Sequence, residues 1–246
     1  MVKLILSKLA TALLELFYPS FPQCPSCGSE FKPQEISLCN KCITKIEFIT
    51  DDFCQQCGKS IGAKERFCQE CRQRRFFFAE ARAVGIYEQG LKQYIKQLKY
   101  DGYQSLARPL GELLSIYTQQ FYDLKEIDLI TYIPVHQERM EERGFNQAYL
   151  LARELGENTN LPVKSLLARQ KNTIKQSKLS RQERLENVQN KFKVEQGHLV
   201  KEQKILLVDD IYTTGATVNE ASRILLNHSA HSIKVITLAT GRGINS

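Results

Sequence analysis

The chain has 246 residues, 42% of them hydrophobic and 25% charged, which suffices for one substantial α/β core with a small appendage or for two modest domains. A formal net charge of +7 gives a mild attraction for nucleic acid or phosphorylated ligands, without the density of a dedicated basic tail. All eight cysteines fall between Cys24 and Cys71, a local cluster that rules out a disulfide framework stapling the whole fold.

Residues 1–23 begin with an amphipathic pattern. Leu4, Ile5, Leu9, Leu13, Leu16 and Phe17 recur at helical spacing, with Lys3, Ser7, Lys8, Thr11 and Glu15 opposite. Lys8 and Glu15 interrupt the apolar run that a signal peptide or a membrane span needs, and no small-residue cleavage site follows. The expectation is a reducing, cytoplasmic protein with no transmembrane segment. The helix packs on the chain itself or meets a membrane surface or a partner.

Residues 24–75 carry the cysteines as four CxxC pairs: Cys24 and Cys27, Cys39 and Cys42, Cys54 and Cys57, Cys68 and Cys71. Two residues between thiolates let both sulfurs of one tight turn reach a tetrahedral ion, and two such knuckles complete four-coordinate zinc. Eight ligands predict two structural zinc ions. A sequential pairing joins the first two pairs and the last two; an interleaved one joins the first pair to the third. The short linkers favour the sequential scheme. So small a module has little core, so metal supplies its folding free energy, and loss of Cys54 is expected to unfold the module while leaving the following domain largely intact. Redox-active CxxC is the competing reading, but it usually comes singly beside a thioredoxin-like βαβ unit.

Arg72, Arg74, Arg75, Phe76, Phe77 and Phe78 lead out of the module. Rings interleaved with arginines suit single-stranded nucleic acid, whereas three consecutive phenylalanines also suit the docking of two domains. Residues 76–246 read as an α/β domain. A strand is predicted over 81–87, a helix through Leu91, Tyr94, Ile95 and Leu98 to Lys99, and a second helix through Leu106, Leu110, Leu113, Leu114, Tyr117 and Phe121. A strand over 128–133 ends at Pro134 and Val135. A charged loop with Arg139 and Arg143 follows, then a helix capped by Asn146 and stopped at Gly156. Residues 164–193 form a basic stretch that includes Lys175, Lys178, Arg181 and Arg184, read as a mobile loop that closes over a polyanion or as a solvated connector.

Residues 204–217, KILLVDDIYTTGAT, are the most informative stretch. The apolar run 205–208 suits a strand buried on both faces of a parallel sheet, and ligands of such sheets collect beyond the strands' carboxyl ends. Asp209 and Asp210 stand at that end and can accept the vicinal hydroxyls of a ribose. Thr213, Thr214, Gly215, Ala216 and Thr217 turn into a helix start, where backbone N–H groups and hydroxyls converge on a phosphate. No Walker A sequence or dinucleotide fingerprint is present. A plain helix cap would need one hydroxyl and no paired acids. The final helix and strand, 218–227 and 233–239, complete a mostly parallel sheet.

Residues 205–217 resemble the 5-phosphoribosyl-1-pyrophosphate (PRPP) motif of type I phosphoribosyltransferases. With the four CxxC pairs, KQLKYDG at 96–102, IPV followed by RGFNQ at 143–147, and the spaced Gln176, Leu179, Arg184, Asn187 and Phe192, nearly the whole chain resembles the ComF family of competence proteins. The resemblance implies a zinc-ribbon-like module before a phosphoribosyltransferase-type α/β domain. It gives Asp209 and Asp210 the ribose hydroxyls, residues 213–217 the 5-phosphate, and Lys99, Pro134, Val135 and Arg143 the pyrophosphate region. Magnesium would bridge pyrophosphate and ribose oxygens, reaching the acids through waters. The family is linked to natural transformation, with single-stranded DNA and other competence proteins as expected partners. An active phosphoribosyltransferase acting on a nitrogenous base is the alternative, and no stretch reads as a base pocket.

Overall fold

The computed structural model describes residues 21–32, 34–63, 65–169 and 191–243. Four parallel strands form the main sheet: β1 (Glu80–Ile86), β2 (Leu129–Tyr132), β5 (Lys204–Tyr212) and β6 (Ser232–Thr240), in the order β1-β6-β5-β2. The central β5 is the apolar run, in register with β6 from Lys204 opposite Ser232 to Tyr212 opposite Thr240. Its pairing with β2 stops at Tyr132 opposite Val208, so Asp209 and Asp210 project beyond the shorter neighbour. Both sheet edges are covered, which removes templates for unwanted strand addition. Phe48 bridges Gly85 on β1, and on β2 the Ile130 N–H donates to Pro162 O (2.9 Å) while the Lys164 N–H donates to Ile130 O (2.9 Å).

Strand alternation sends successive residues to opposite faces, and each face has its own core. Leu206 and Val208 face α3 (Gln89–Tyr100), α4 (Ala107–Phe121) and α6 (Gln147–Thr159), where Leu98, Leu110 and Leu151 are fully buried. Ile205 and Leu207 face α7 (Ala216–Asn227) and the antiparallel pair β3 (Leu167–Arg169) and β4 (Phe192–Val194). Between β2 and α6, α5 (Gln137–Arg143) ends at Gly144, whose φ of 76° is the left-handed stop that glycine takes without strain.

The cysteine module is built of two similar ribbons in sequence, with short helices α1 (Asn40–Ile43) and α2 (Gln69–Gln73) beginning just after Cys39 and Cys68. In each first knuckle the glycine N–H donates back to the first cysteine, Gly28 to Cys24 O (2.8 Å) and Gly58 to Cys54 O (2.9 Å). The ribbons grip the β1 edge from both sides. The first joins the helical face, where the Tyr94 hydroxyl donates to Cys42 O (2.8 Å) and the Ser37 hydroxyl to Glu112 (2.8 Å). The second joins the α7 face, where Gln56 Nε2 donates to Phe78 O (3.1 Å) and the Gly243 N–H donates to Ser60 O (2.9 Å). Any Cβ on Gly58 would sit 2.7 Å from the Ala81 carbonyl, so ribbon and strand touch backbone to backbone.

Several local expectations shift. The helix does not stop at Gly156 but runs on to Thr159 and ends at Asn160 in the left-handed region (φ 58°). Gly156 is needed for packing, since a Cβ there would lie 2.5 Å from Val163 Cγ2. The charged loop after Val135 contains α5, with His136 Nδ1 accepting from the Glu138 N–H (3.4 Å). The basic stretch begins and ends in the β3–β4 pair. Phe78 is buried against Phe76 (centroids 5.0 Å) and Tyr212 (6.2 Å), while Phe77 is exposed and its N–H donates to Asn219 Oδ1 (2.8 Å). The amphipathic N-terminal pattern up to residue 20, and Lys175, Lys178, Arg181 and Arg184, lie outside the described residues.

Candidate functional site

Each cysteine tetrad closes on itself. Cys24, Cys27, Cys39 and Cys42 form one group and Cys54, Cys57, Cys68 and Cys71 the other, with ligand sulfurs all within 4.8 Å of one another. Zinc–sulfur bonds of about 2.3 Å in a tetrahedron give sulfur–sulfur edges of about 3.8 Å. The Cys27–Cys39 and Cys57–Cys68 sulfurs stand 3.6 and 3.7 Å apart, so the donor set fits zinc in geometry and in chemistry. Four thiolates leave no open position, which makes these structural sites. The pairing is sequential.

The second site lies at the carboxyl end of β5. Asp209 and Asp210 remain inside the strand, and alternation turns their side chains to opposite faces. Asp210 is buried on the helical face, where it forms an ion pair with Lys99 of α3 and accepts from Gln147 Nε2 of α6 (3.2 Å). Gln147 in turn accepts from Arg143 Nη1 (3.0 Å), and the Arg143 guanidinium stacks 4.7 Å over the Tyr100 ring. Lys99, Asp210, Gln147 and Arg143 thus form one continuous polar chain. Asn146 fixes its geometry: its side chain caps α6 by accepting from the Ala148 N–H (2.9 Å) and donates to Ile133 O (3.0 Å).

Asp209 sits on the other side in different surroundings. Its Oδ1 accepts from the Asp210 N–H (2.9 Å), and no ion pair to it is found among the described residues. Burial, reinforced by the adjacent Asp210 carboxylate, pushes its carboxyl well above the usual carboxylate range. Arg169 of β3 lies near it; burial lowers that guanidinium's pKa and Asp209 works against the shift.

Beyond the acids the chain turns into α7. Thr213, Thr214 and Thr217 are exposed, and Gly215 caps α7 with a φ of 74°. The Tyr212 hydroxyl lies directly under Gly215, in the space a Cβ would take. The Ala216 N–H is held by Thr214 Oγ1 (3.4 Å), while the first-turn N–H groups of any helix lack intrahelical acceptors. Such an end attracts an anion.

The structure therefore brings Lys99, Arg143, Asp209, Asp210 and residues 213–217 to one rim. Pro134 and Val135 leave β2 at the same rim and line a groove of 650 Å³ beside it. Arg139 does not join: it pairs with Glu142 (2.7 Å) on the exposed side of α5. Gln147, Tyr100 and Arg169 were not singled out from the sequence as site residues. Gln147 stands one helical turn beyond Arg143, a spacing that could have flagged it.

A double zinc ribbon domain model matches residues 13–73, and a phosphoribosyl transferase domain model matches residues 140–243. Competence protein ComFC of Bacillus subtilis (strain 168) is 32% identical over 233 residues, covering 87% of this chain and 93% of the relative. Competence protein F of Haemophilus influenzae is 27% identical, covering 88% and 96%. DNA utilization protein YhgH of Escherichia coli K12 is 29% identical, covering 80% and 88%. With this architecture and these relatives along nearly its full length, the chain belongs to the ComF family of competence proteins, in which a double zinc ribbon is joined to a phosphoribosyltransferase-like domain.

Proposed function

We propose that this chain binds PRPP at the carboxyl rim of its sheet and acts in DNA uptake and natural transformation, handling incoming single-stranded DNA in the cytoplasm. The observation that carries the PRPP reading is the juxtaposition of an open, hydroxyl-rich helix start with a buried Asp210–Lys99 pair one strand-end away. The 5-phosphate lies on the backbone N–H groups and hydroxyls of residues 213–217, where α7 supplies a positive helix end. Ribose hydroxyls donate to Asp210 and Asp209. Lys99, now sharing its charge between Asp210 and ligand, meets the pyrophosphate together with Arg143 and the backbone at Pro134 and Val135. Magnesium fits here as a hard cation for pyrophosphate oxygens, with the two acids as its nearest carboxylates.

The DNA reading is supported by the relatives, named as competence and DNA utilization proteins. It also accords with the +7 net charge and with the basic run between β3 and β4. Saturating the protein with magnesium and PRPP and then titrating a short single-stranded oligonucleotide tests both halves. Competition places the strand in the cradle; independent or coupled binding places it elsewhere. Failure to bind PRPP at all sinks the cradle. Pyrophosphate release on adding nitrogenous bases would replace the handling role by catalysis of phosphoribosyl transfer.

A further inference from the structure

PRPP has no base, so it leaves the 650 Å³ groove beside the rim unexplained. That volume is in the usual range for a small-molecule site, about 300–1,000 Å³. One wall is α5 with the start of α6, the other is β3, and Pro134 and Val135 form the end nearest the acids. Met140 is 46% exposed and Tyr149 40%, and they face the same groove. Tyr149 packs against Tyr132 (centroids 5.2 Å, 58° apart), which leaves a firm ring edge in the wall. Across from them lies Arg169, half-buried, stacked 5.8 Å over the Phe192 ring, and with no hydrogen bond or ion pair found among the described residues. Lys191, next to the paired Phe192, has its amine pKa lowered by burial and then by Arg169, with Glu220 working against the shift, so a second cation lies within electrostatic reach of Arg169.

We propose that this groove is a nucleotide site, holding a planar base against Tyr149 and Met140 and the attached phosphate on Arg169. Asp209 acts on this half-buried guanidinium without an ion pair found between them among the described residues, and a phosphate relieves the remaining desolvation cost with two parallel hydrogen bonds. An apolar partner surface would cover the rings but bury that guanidinium with no hydrogen-bonded acceptor, which favours a ligand that is planar at one end and anionic at the other. Tyrosine and methionine suit any base, because every base has a π-face and thioether sulfur adapts to its outline. A free mononucleotide and one residue of a single strand share this chemistry.

The test uses the full-length zinc-loaded protein with thymidine monophosphate and a short labelled oligothymidylate as probes, read by calorimetry and fluorescence anisotropy. Arg169→Gln and Met140→Glu each weaken binding about tenfold, and Tyr149→Ala acts in the same direction. Binding of both probes with this pattern assigns the groove to a nucleotide. Binding of the oligonucleotide alone with the same losses assigns it to a base within a strand. PRPP titrated into Met140→Glu and Tyr149→Ala keeps wild-type affinity, which separates this site from the cradle and its failure from the cradle's failure. Wild-type affinity for both probes in all three variants overturns the proposal. So does a dimer in sedimentation that Met140→Glu splits without change in nucleotide binding, since the groove then belongs to a second copy of the chain.

Discussion

The two faces of the sheet carry matching parts in different states. Each face holds one zinc ribbon and one acid of β5, yet Asp210 is ion-paired with Lys99 and bonded to Gln147, whereas among the described residues Asp209 has a backbone N–H and a nearby arginine with which it forms no ion pair. On the helical face the acid is locked into a polar chain, and on the α7 face no ion pair to the acid is found among the described residues. Adjacent residues of one strand thereby stand in different surroundings: Asp210 is a fixed acceptor, and Asp209 is held by a backbone N–H with its carboxyl pKa raised.

The largest effect concerns the ribbons. Because each shares a core with one sheet face, loss of a ribbon's zinc is predicted to reach the sheet as well as the module. Structural zinc contributes about 10–16 kcal/mol in zinc-finger peptides, comparable to the whole stability of a domain at about 5–15 kcal/mol. Chelation, or Cys54→Ser, should abolish or sharply lower the single thermal transition monitored by circular dichroism. A sheet transition that stays at the wild-type temperature would show that the second ribbon is only an appendage.

Lys99→Met comes next. It leaves Asp210 buried without its cation, which should cost about 3 kcal/mol in denaturant titrations. Arg169→Gln, on the other face, should cost less than about 1 kcal/mol, since no pair is broken. Adding Asp210→Asn to Lys99→Met should restore part of the loss; equal costs for the two cations would erase the contrast between faces. Gly215→Ala ranks third, at about 1–2 kcal/mol for a left-handed backbone with a Cβ, with displacement of the Tyr212 hydroxyl and weaker PRPP binding.

The smallest effect has the opposite sign. The Asp209 carboxyl pKa is raised in the folded state, so between the unfolded and folded values the folded chain binds more protons and stability falls as pH rises. Asp209→Asn should therefore raise the melting temperature at neutral pH, by about 0.5–1 kcal/mol in stability. That gain should vanish as pH drops to the ordinary carboxylate value. A gain that persists in acid would mean the side chain is not strained by its charge.

What could be read from the sequence was local chemistry at fixed spacing. The CxxC pairs announce a structural metal because every thiolate lies within a few residues of the next. The apolar run 205–208 announced the central strand for the same reason. The helix after Asn146 was misjudged at Gly156 because close approach to Val163, not chain termination, demands that glycine. α5 was hidden because its residues are charged on nearly every side, which removes the apolar stripe that marks a helix. The Lys99–Asp210–Gln147 chain joins three elements far apart in sequence, and only the packing of α3 and α6 on one face brings them together. The ribbons' grip on β1 is likewise a tertiary fact, carried by backbone contacts such as Gly58 against Ala81.

The central claim is that the rim around Asp210 and the turn before α7 form a sugar-phosphate cradle. Isothermal titration of PRPP with magnesium into the wild-type protein, Asp210→Ala and Thr214→Val tests it most directly. Each variant removes hydrogen bonds to a charged ligand or its ribose worth about 1.5–3 kcal/mol, so each should bind at least about tenfold more weakly than wild type. Equal affinity in all three proteins, or no binding by the wild type, would contradict the account.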